Sequence, residues 1–208
     1  MRRNIIKQGN NSYTLTLPIK WIRENKLDVT GEVEVNEEEG DVIVSIPKNI
    51  RSPESKINID LNDFNERTIR NILNQAYRKG YDQILLKLKD KKQLRDIRRI
   101  VKVSLLGFEV VEEKEKECLI QNIAEPSSDK FRVILRKIFL LIENDGKEIL
   151  EDFRNKKLNN LKKREETREI IDTYTNFCRR LIIKDKVGGT KNSYLMILII
   201  SRLSLIYH

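Results

Sequence analysis

The residues best placed to do chemistry in this sequence are cations close to its amino terminus. They are Arg2, Arg3, Lys7, Lys20 and Arg23. Residues 1–26 hold six bases and one acid, a net charge of +5, whereas residues 27–66 carry a net charge of −8. Charge concentrated in this way indicates a local binding surface for a polyanion, and double-stranded DNA is the partner that we expect. A solvated surface without a partner is the alternative reading.

The rest of the chain has few of the histidine and cysteine residues that catalysis commonly uses. The one histidine is His208, and Cys118 and Cys178 lie 60 positions apart without a CxxC motif. These residues exclude Ser-His-Asp and Cys-His catalysis, and they indicate neither a zinc site nor a disulfide framework. We therefore expect no enzyme, no catalytic residue, no metal and no cofactor. A reducing cytoplasm is the expected location, with both thiols buried as small hydrophobic side chains.

Short-range patterns predict the elements that carry the five cations. Residues 4–7 and 13–17 alternate at period two around a Gly9-Asn10-Asn11 turn, which predicts a hairpin. Pro18 opens a short helix with Lys20 and Arg23 on one face, and further strands are predicted near residues 32–35 and 42–46. So small a domain cannot bury enough apolar surface alone, and because it has no disulfide or metal, we expect a homodimer.

The rest of the chain predicts an α+β protein with further units. Residues 47–56 read as a linker after a first domain at 1–46, and residues 57–123 alternate strand and helix as a small α/β unit. Residues 126–208 are helical throughout and predict an antiparallel three-helix bundle. No apolar run approaches the length of a membrane span, and the amino terminus lacks a signal-peptide pattern, so we expect no membrane insertion.

Two parts of the sequence resemble known families. The segment RRNIIKQGNNSYTLTLPIKWIRENKLDVTGEVEV resembles the SpoVT/AbrB swapped-hairpin DNA-binding domain over about the first 46 residues. Most of the remainder resembles archaeal phosphate uptake regulators, which join such a domain to a PhoU-like region; the resembling pieces are residues 76–82, 104–113 and 178–184. The resemblance implies a dimer of α+β chains whose swapped hairpins present a basic face to a DNA groove.

The same resemblance implies roles for individual residues. Lys7 in the first strand and Arg23 in the helix stand where the family usually has basic DNA contacts, with Arg3 and Lys20 beside them. Thr14 departs from the pattern, because many members carry an arginine there.

PhoU-like bundles often hold metal ions between acidic pairs on facing helices. In this chain an acidic row at helical spacing comprises Glu165, Glu169, Asp172 and Asn176, but the segment expected to face it, residues 201–205, has no carboxylate. We therefore expect no tight metal cluster, and we interpret the acidic row as a solvated face.

Three functional hypotheses follow. The leading one is a homodimeric transcriptional regulator that binds operator DNA through its amino-terminal domain, with a role in phosphate uptake implied by the resemblance. The alternative is a PhoU-like interaction protein whose helical region docks on a transporter or sensor while the hairpin domain serves to dimerise. An antitoxin ranks third, because antitoxins usually end in a disordered toxin-binding tail and this chain continues with periodic helices.

Overall fold

The chain divides into two units after Pro53, and we call Met1–Pro53 unit 1 and Glu54–His208 unit 2. The computed structural model describes residues 2–38, 40–47, 55–124, 130–156, 161–185, 187 and 189–207. Most of the predicted linker, residues 48–54, lies outside the described residues. The segments predicted as separate domains at 57–123 and 126–208 both belong to unit 2.

Unit 1 consists of two antiparallel hairpins with two short helices between them. Strands β1 (Ile5–Gln8) and β2 (Ser12–Leu15) pair around Gly9, whose φ of 71° suits a glycine. After Pro18 come α1 (Ile19–Glu24) and α2 (Leu27–Thr30), and then β3 (Glu34–Glu38) pairs with β4 (Asp41–Ser45). The predicted strands and first helix are confirmed with small shifts of their ends. The four-residue α2 was not predicted from the sequence.

Few apolar side chains of unit 1 are covered. Among its described residues, Leu27 is the one hydrophobic side chain that is fully buried, at 3% exposure. Large apolar side chains stand exposed on both hairpins and both helices; they are Ile5, Ile6, Tyr13, Leu15, Ile19, Val29, Val35 and Val42. A single copy of unit 1 therefore has almost no core of its own.

Unit 2 begins with a four-stranded mixed sheet and two helices. Its elements are β5 (Lys56–Asp60), α3 (Glu66–Arg78), β6 (Gln83–Lys87), α4 (Lys91–Ser104), β7 (Phe108–Glu113) and β8 (Glu117–Asn122). The strand order is β5-β6-β8-β7, with β5 and β6 parallel and the other pairs antiparallel. Asn65 and Asp90 cap α3 and α4, since their side chains accept hydrogen bonds from backbone N–H groups of the first helical turns. This α/β arrangement confirms the one predicted from periodicity.

Three helices complete unit 2. They are α5 (Lys130–Arg154), α6 (Leu161–Asp185) and α7 (Gly189–Tyr207), and they share a core built around Ile138, Phe177, Leu181 and Ile200. Helix α6 contacts α5 and α7 as well as α3 and α4, so the helices and the α/β part form one packed body. No helix within the described residues is long and apolar enough to cross a membrane.

A buried arginine joins the helical part of unit 2 to the α/β part. Arg180 of α6 is 2% exposed and donates hydrogen bonds to the carbonyl oxygens of Tyr77 (3.1 Å) and Tyr81 (2.8 Å) and to Oδ1 of Asp82 (2.7 Å). Its guanidinium also lies over the rings of Tyr77 and Phe108, with distances to the ring centroids of 5.2 and 4.8 Å. Residues from the segments 76–82, 104–113 and 178–184 therefore meet at this buried junction.

Candidate nucleic-acid interface

The five predicted DNA-contacting residues all lie in unit 1 and are all exposed. Arg2 and Arg3 precede β1, Lys7 is in β1, and Lys20 and Arg23 are in α1. Exposure leaves their charged groups accessible to phosphate oxygens, which are acceptors for both guanidinium and ammonium groups. Whether these particular residues contact DNA stays a prediction.

The first hairpin fixes where the side chains of its two strands point. Lys7 is paired with Tyr13 in the register, and because side chains alternate along a strand, Lys7 shares one face with Ile5, Tyr13 and Leu15. Thr14 points to the other face, where its hydroxyl donates a 3.3 Å hydrogen bond to the Ile6 carbonyl oxygen. The position where related domains often carry an arginine is thus occupied here by a hydroxyl bonded within the hairpin.

Two of the cations are held by polar neighbours. Arg3 Nη1 donates a 3.0 Å hydrogen bond to Thr16 Oγ1, which ties the segment before β1 to the segment after β2. Lys20 Nζ lies 3.8 Å from Glu24 Oε1 in a pair whose side chains are 85% and 61% exposed. An exposed pair of this kind contributes little to stability, so Lys20 can exchange its carboxylate for a phosphate at little cost.

The two hairpins of unit 1 differ in charge. The segment from Arg2 to Arg23 contributes the cations, whereas the second hairpin and its approach carry exposed acids that include Glu32, Glu37 and Asp41. These carboxylates would repel the negatively charged phosphates of DNA. The first hairpin together with α1 is therefore the part of unit 1 suited to bind nucleic acid.

Two exposed arginines of unit 2 lie against carboxylates instead. Arg98 of α4 forms an ion pair with Glu113 of β7, and Arg99 of α4 forms one with Glu66 of α3. The hydrogen bonds that Arg98 donates to Glu113 are the main cause that raises the pKa of Arg98, and the same bonds lower the pKa of Glu113. Cations that are already matched in this way make a weaker phosphate-binding surface than those of unit 1.

The cysteines and the acidic row occupy different environments from each other. Cys118 and Cys178 are both free and buried, as predicted, and burial raises the pKa of each thiol to about 12.

The interpretation of the acidic row as a solvated face is wrong for Asn176, which is 2% exposed, because α6 packs against α3 along this side. Within the described part of the chain, no three His, Cys, Asp or Glu side chains are grouped so as to hold a metal ion.

Comparison with known proteins identifies one family. The family of the MazE antitoxin, described as antidote-toxin recognition MazE, matches residues 6–53. No curated protein and no solved structure matches the chain. The match covers nearly all of unit 1, includes Lys7, Lys20 and Arg23, and supports the predicted SpoVT/AbrB-type domain at the amino terminus. It does not extend to unit 2, so the comparisons do not support the PhoU-like resemblance.

Proposed function

We propose that this protein is a DNA-binding transcriptional regulator that acts as a homodimer through unit 1. The match of residues 6–53 to the MazE family is the observation that carries the proposal, because domains of the AbrB and MazE type dimerise and bind DNA. The location of the cations within the same unit supports it independently.

The exposed apolar side chains of unit 1 support the dimer. Both faces of the first hairpin carry them, with Tyr13 on one face and Ile6 on the other, at 63% and 59% exposure. A hairpin of two four-residue strands is marginal in water unless further strands or helices cover it. A second copy with its hairpins swapped into the first would cover these faces and would remove the exposed strand edges.

Dimerisation also concentrates the cations. Two copies bring together up to ten positive groups from Arg2, Arg3, Lys7, Lys20 and Arg23. If all ten neutralise phosphates, the logarithm of the association constant falls with the logarithm of salt concentration at a slope of about −9, and if half of them do, at about −4.5.

Fluorescence anisotropy tests the proposal with the full chain, a labelled duplex from the upstream region of its own gene, and a scrambled duplex at two salt concentrations. We expect tight, salt-dependent binding with a preference for the native duplex. Replacing both Lys7 and Arg23 with alanine removes four cations per dimer and should flatten the salt slope by up to about 4.

A matched control removes the same charge from unit 2. Arg95 and Lys102 are exposed on α4 outside the first hairpin, and their double alanine variant should bind DNA as the wild type does. Equal losses in the two double variants would mean that overall charge, and not unit 1, attracts the DNA. No binding at low salt would refute the proposal.

The PhoU-like resemblance of residues 76–82, 104–113 and 178–184 extends the proposal in two ways. The first is a role in phosphate uptake, and the second is docking of the helical region on a transporter or sensor protein. Changes in transcription of phosphate transport genes on deletion of this gene would test the first extension. Phosphate-dependent pull-down with the Lys7 and Arg23 double variant would test the second, because docking through unit 2 should survive loss of the DNA contacts.

An antitoxin is a second candidate, favoured by the description of the matching family. Unit 2 has two buried hydrophobic clusters of its own, whereas a toxin-binding tail usually folds only on its toxin. Coexpression with the product of the adjacent gene distinguishes the two functions: rescue from growth arrest would establish an antitoxin, and the absence of a toxic neighbour would favour the regulator.

A further inference from the structure

Unit 2 contains a polar cleft that opens to the surface, since its lining includes the exposed Asn71 and Glu169 beside the buried Ser104 and Asn176. The cleft has a volume of about 230 Å³ and lies between α3, the end of α4, α6 and α7. Nine of the ten residues that line it are polar, and Val103 is the exception. Elements packed together normally fill the space between them with apolar side chains, because an unpaired polar group in such a place costs free energy.

Two rows of side chains with opposite charge face the cleft. Helix α3 contributes Arg70, Asn74 and Arg78, which are four residues apart and hence on one face. Helix α6 contributes the carboxylates of Glu169 and Asp172 and the amide of Asn176 from the other side. The cleft is therefore basic along one wall and acidic along the other.

Hydrogen bonds hold both walls in place. Arg78 Nε donates to Oδ1 of the buried Asn176 at 2.7 Å, and Arg70 Nη1 donates to Oγ of the buried Ser104 at 3.2 Å. On α7, Ser204 Oγ donates to Asp172 Oδ1 at 3.4 Å. The walls are thus preorganised, which lowers the entropic cost of binding a ligand.

Binding capacity remains on each wall. Among the described residues, Arg78 uses Nε alone for its hydrogen bond, which leaves its two terminal nitrogens to bind an acceptor. Asn74 Oδ1 is buried without a donor, and the Glu169 carboxylate has no ion pair or hydrogen-bond donor within the same part of the chain. Burial, followed by the charge of Arg179, lowers the pKa of Arg78 to about 10 in spite of Asp172. A bound anion would compensate this half-buried positive charge.

We infer that the cleft binds a small polar zwitterion of the amino-acid class. Its carboxylate would accept hydrogen bonds from the terminal nitrogens of Arg78, and its ammonium group would donate to Asn74 Oδ1 and lie near the carboxylates of Glu169 and Asp172. The volume equals that of several water molecules, which suits a small amino acid, and the polar lining disfavours a large apolar side chain. The inference concerns unit 2 alone and does not depend on DNA binding.

Isothermal titration calorimetry of the full chain without DNA tests the inference with the common amino acids as probes. Acetate, methylamine and sulfate serve as ligands that carry only one of the two charges. We expect saturable binding of at least one small polar amino acid, with each single-charge probe binding at least tenfold more weakly.

Two variants locate the binding to the cleft. Arg78→Gln should weaken binding at least tenfold, because the carboxylate of the amino acid loses its charge-assisted hydrogen bonds. Glu169→Gln should weaken binding of the amino acid but leave binding of acetate unchanged, and because its side chain is exposed it tests the inference without disturbing the fold. Arg67→Gln changes an exposed arginine of α3 outside the cleft and should have no effect.

Three results would overturn the inference. The first is no saturable binding of any amino acid. The second is acetate or sulfate binding as tightly as the amino acids, which would make the cleft a simple anion site. The third is amino-acid binding that neither Arg78→Gln nor Glu169→Gln weakens, which would place the ligand elsewhere.

Discussion

Unit 1 and unit 2 bury their apolar side chains to very different extents. In unit 2 the side chains of Leu61, Leu73, Tyr77 and Ile84 are 0% exposed, whereas Tyr13 and Ile6 of unit 1 keep more than half of their surface in contact with solvent. Unit 2 therefore has an apolar core that stabilises it, whereas unit 1 by itself buries too little apolar surface to do so. The difference favours the proposed dimerisation through the unit that carries the cations.

The two units also differ in how their cations pair with carboxylates. Several cations of unit 2 lie against carboxylates, at the surface in the pair of Arg99 and Glu66 and in the interior in the pair of Arg180 and Asp82. Within the described residues of unit 1, Lys20 has a carboxylate neighbour within 4 Å, and the other four candidate cations have none. Unpaired cations on a unit that needs a partner are what a DNA-binding dimer requires.

The largest effect is expected from removing the buried cation of unit 2. Arg180→Met should lower the free energy of unfolding by about 3 to 5 kcal/mol, because it removes the three hydrogen bonds that the buried guanidinium donates to the carbonyl oxygens of Tyr77 and Tyr81 and to Asp82. Urea unfolding followed by helical circular dichroism measures the change in unit 2. The fluorescence of Trp21, the one tryptophan of the chain, reports unit 1 and should change little.

Arg99→Met is the matched control for this variant. Arg99 pairs with Glu66 at the surface, where its side chain is 56% exposed, and exposed pairs contribute little to stability. Equal losses in the two variants would contradict the role of Arg180 as the buried link within unit 2.

A smaller effect is expected from placing a charge on the first hairpin. Leu15 is 49% exposed in the single chain, and if a second copy covers it, Leu15→Asp should raise the dissociation constant of the dimer at least tenfold. The physical reason is the loss of about 1.5 to 3 kcal/mol of apolar burial together with the cost of desolvating a carboxylate. Size-exclusion chromatography with light scattering measures the oligomeric state against concentration.

Val111→Asp in unit 2 provides the corresponding control. Val111 is 42% exposed on β7, and its replacement should leave the oligomeric state unchanged. A Leu15→Asp chain that remains as dimeric as the wild type would show that the first hairpin is not the dimer interface.

The pH dependence of unit 2 gives a still smaller effect. Burial by itself would raise the pKa of Asp82, but the hydrogen bond and charge of Lys184, with Arg180 and the Ser55 backbone N–H, lower it below 3.8. The unfolded chain therefore binds the proton more tightly, so this stabilisation is fully present above pH 3.8 and is lost as the pH falls through the folded pKa.

Urea unfolding at pH values from neutral to acid measures this contribution as the difference between wild type and Asp82→Asn. The difference should shrink as the pH falls below 3.8. A difference that stays constant over this range would mean that the charge of Asp82 does not stabilise unit 2.

The two thiols should show no effect at all while unit 2 is folded. Burial raises the pKa of Cys118 and of Cys178 to about 12, which leaves almost no thiolate at neutral pH, and the thiolate is the reactive form. A thiol-specific chromogenic reagent should label neither residue in the native protein and both in denaturant. Rapid labelling of the native chain would show that the core of unit 2 opens readily.

Much of the local structure was predictable from the sequence for a definite physical reason. Apolar periodicity placed α3, α4 and the strands between them close to their observed bounds, and Gly80, with a φ of 88°, ends α3 as predicted. Helix α2 escaped prediction because it is four residues long, too short for any periodicity, and it lies between left-handed backbone at Lys26 and Gly31.

The candidate DNA-binding residues were predictable because they depend on charge and position along a short segment. The cleft was not, since its walls come from helices whose facing residues, such as Arg78 and Asn176, lie 98 positions apart. No spacing rule links residues so distant, and the same acidic row was interpreted from the sequence as a solvated face.

By itself the sequence determined the order of the strands and helices apart from α2 and the concentration of positive charge in the first 26 residues, because both depend on neighbours along the chain. Only the tertiary structure decided that the helices and the α/β part form one unit, that Arg180 meets Asp82 in its interior, and that two oppositely charged rows line a cleft. Burial and long-range pairing depend on how elements pack in three dimensions, and local periodicity carries no information about which helix will face which.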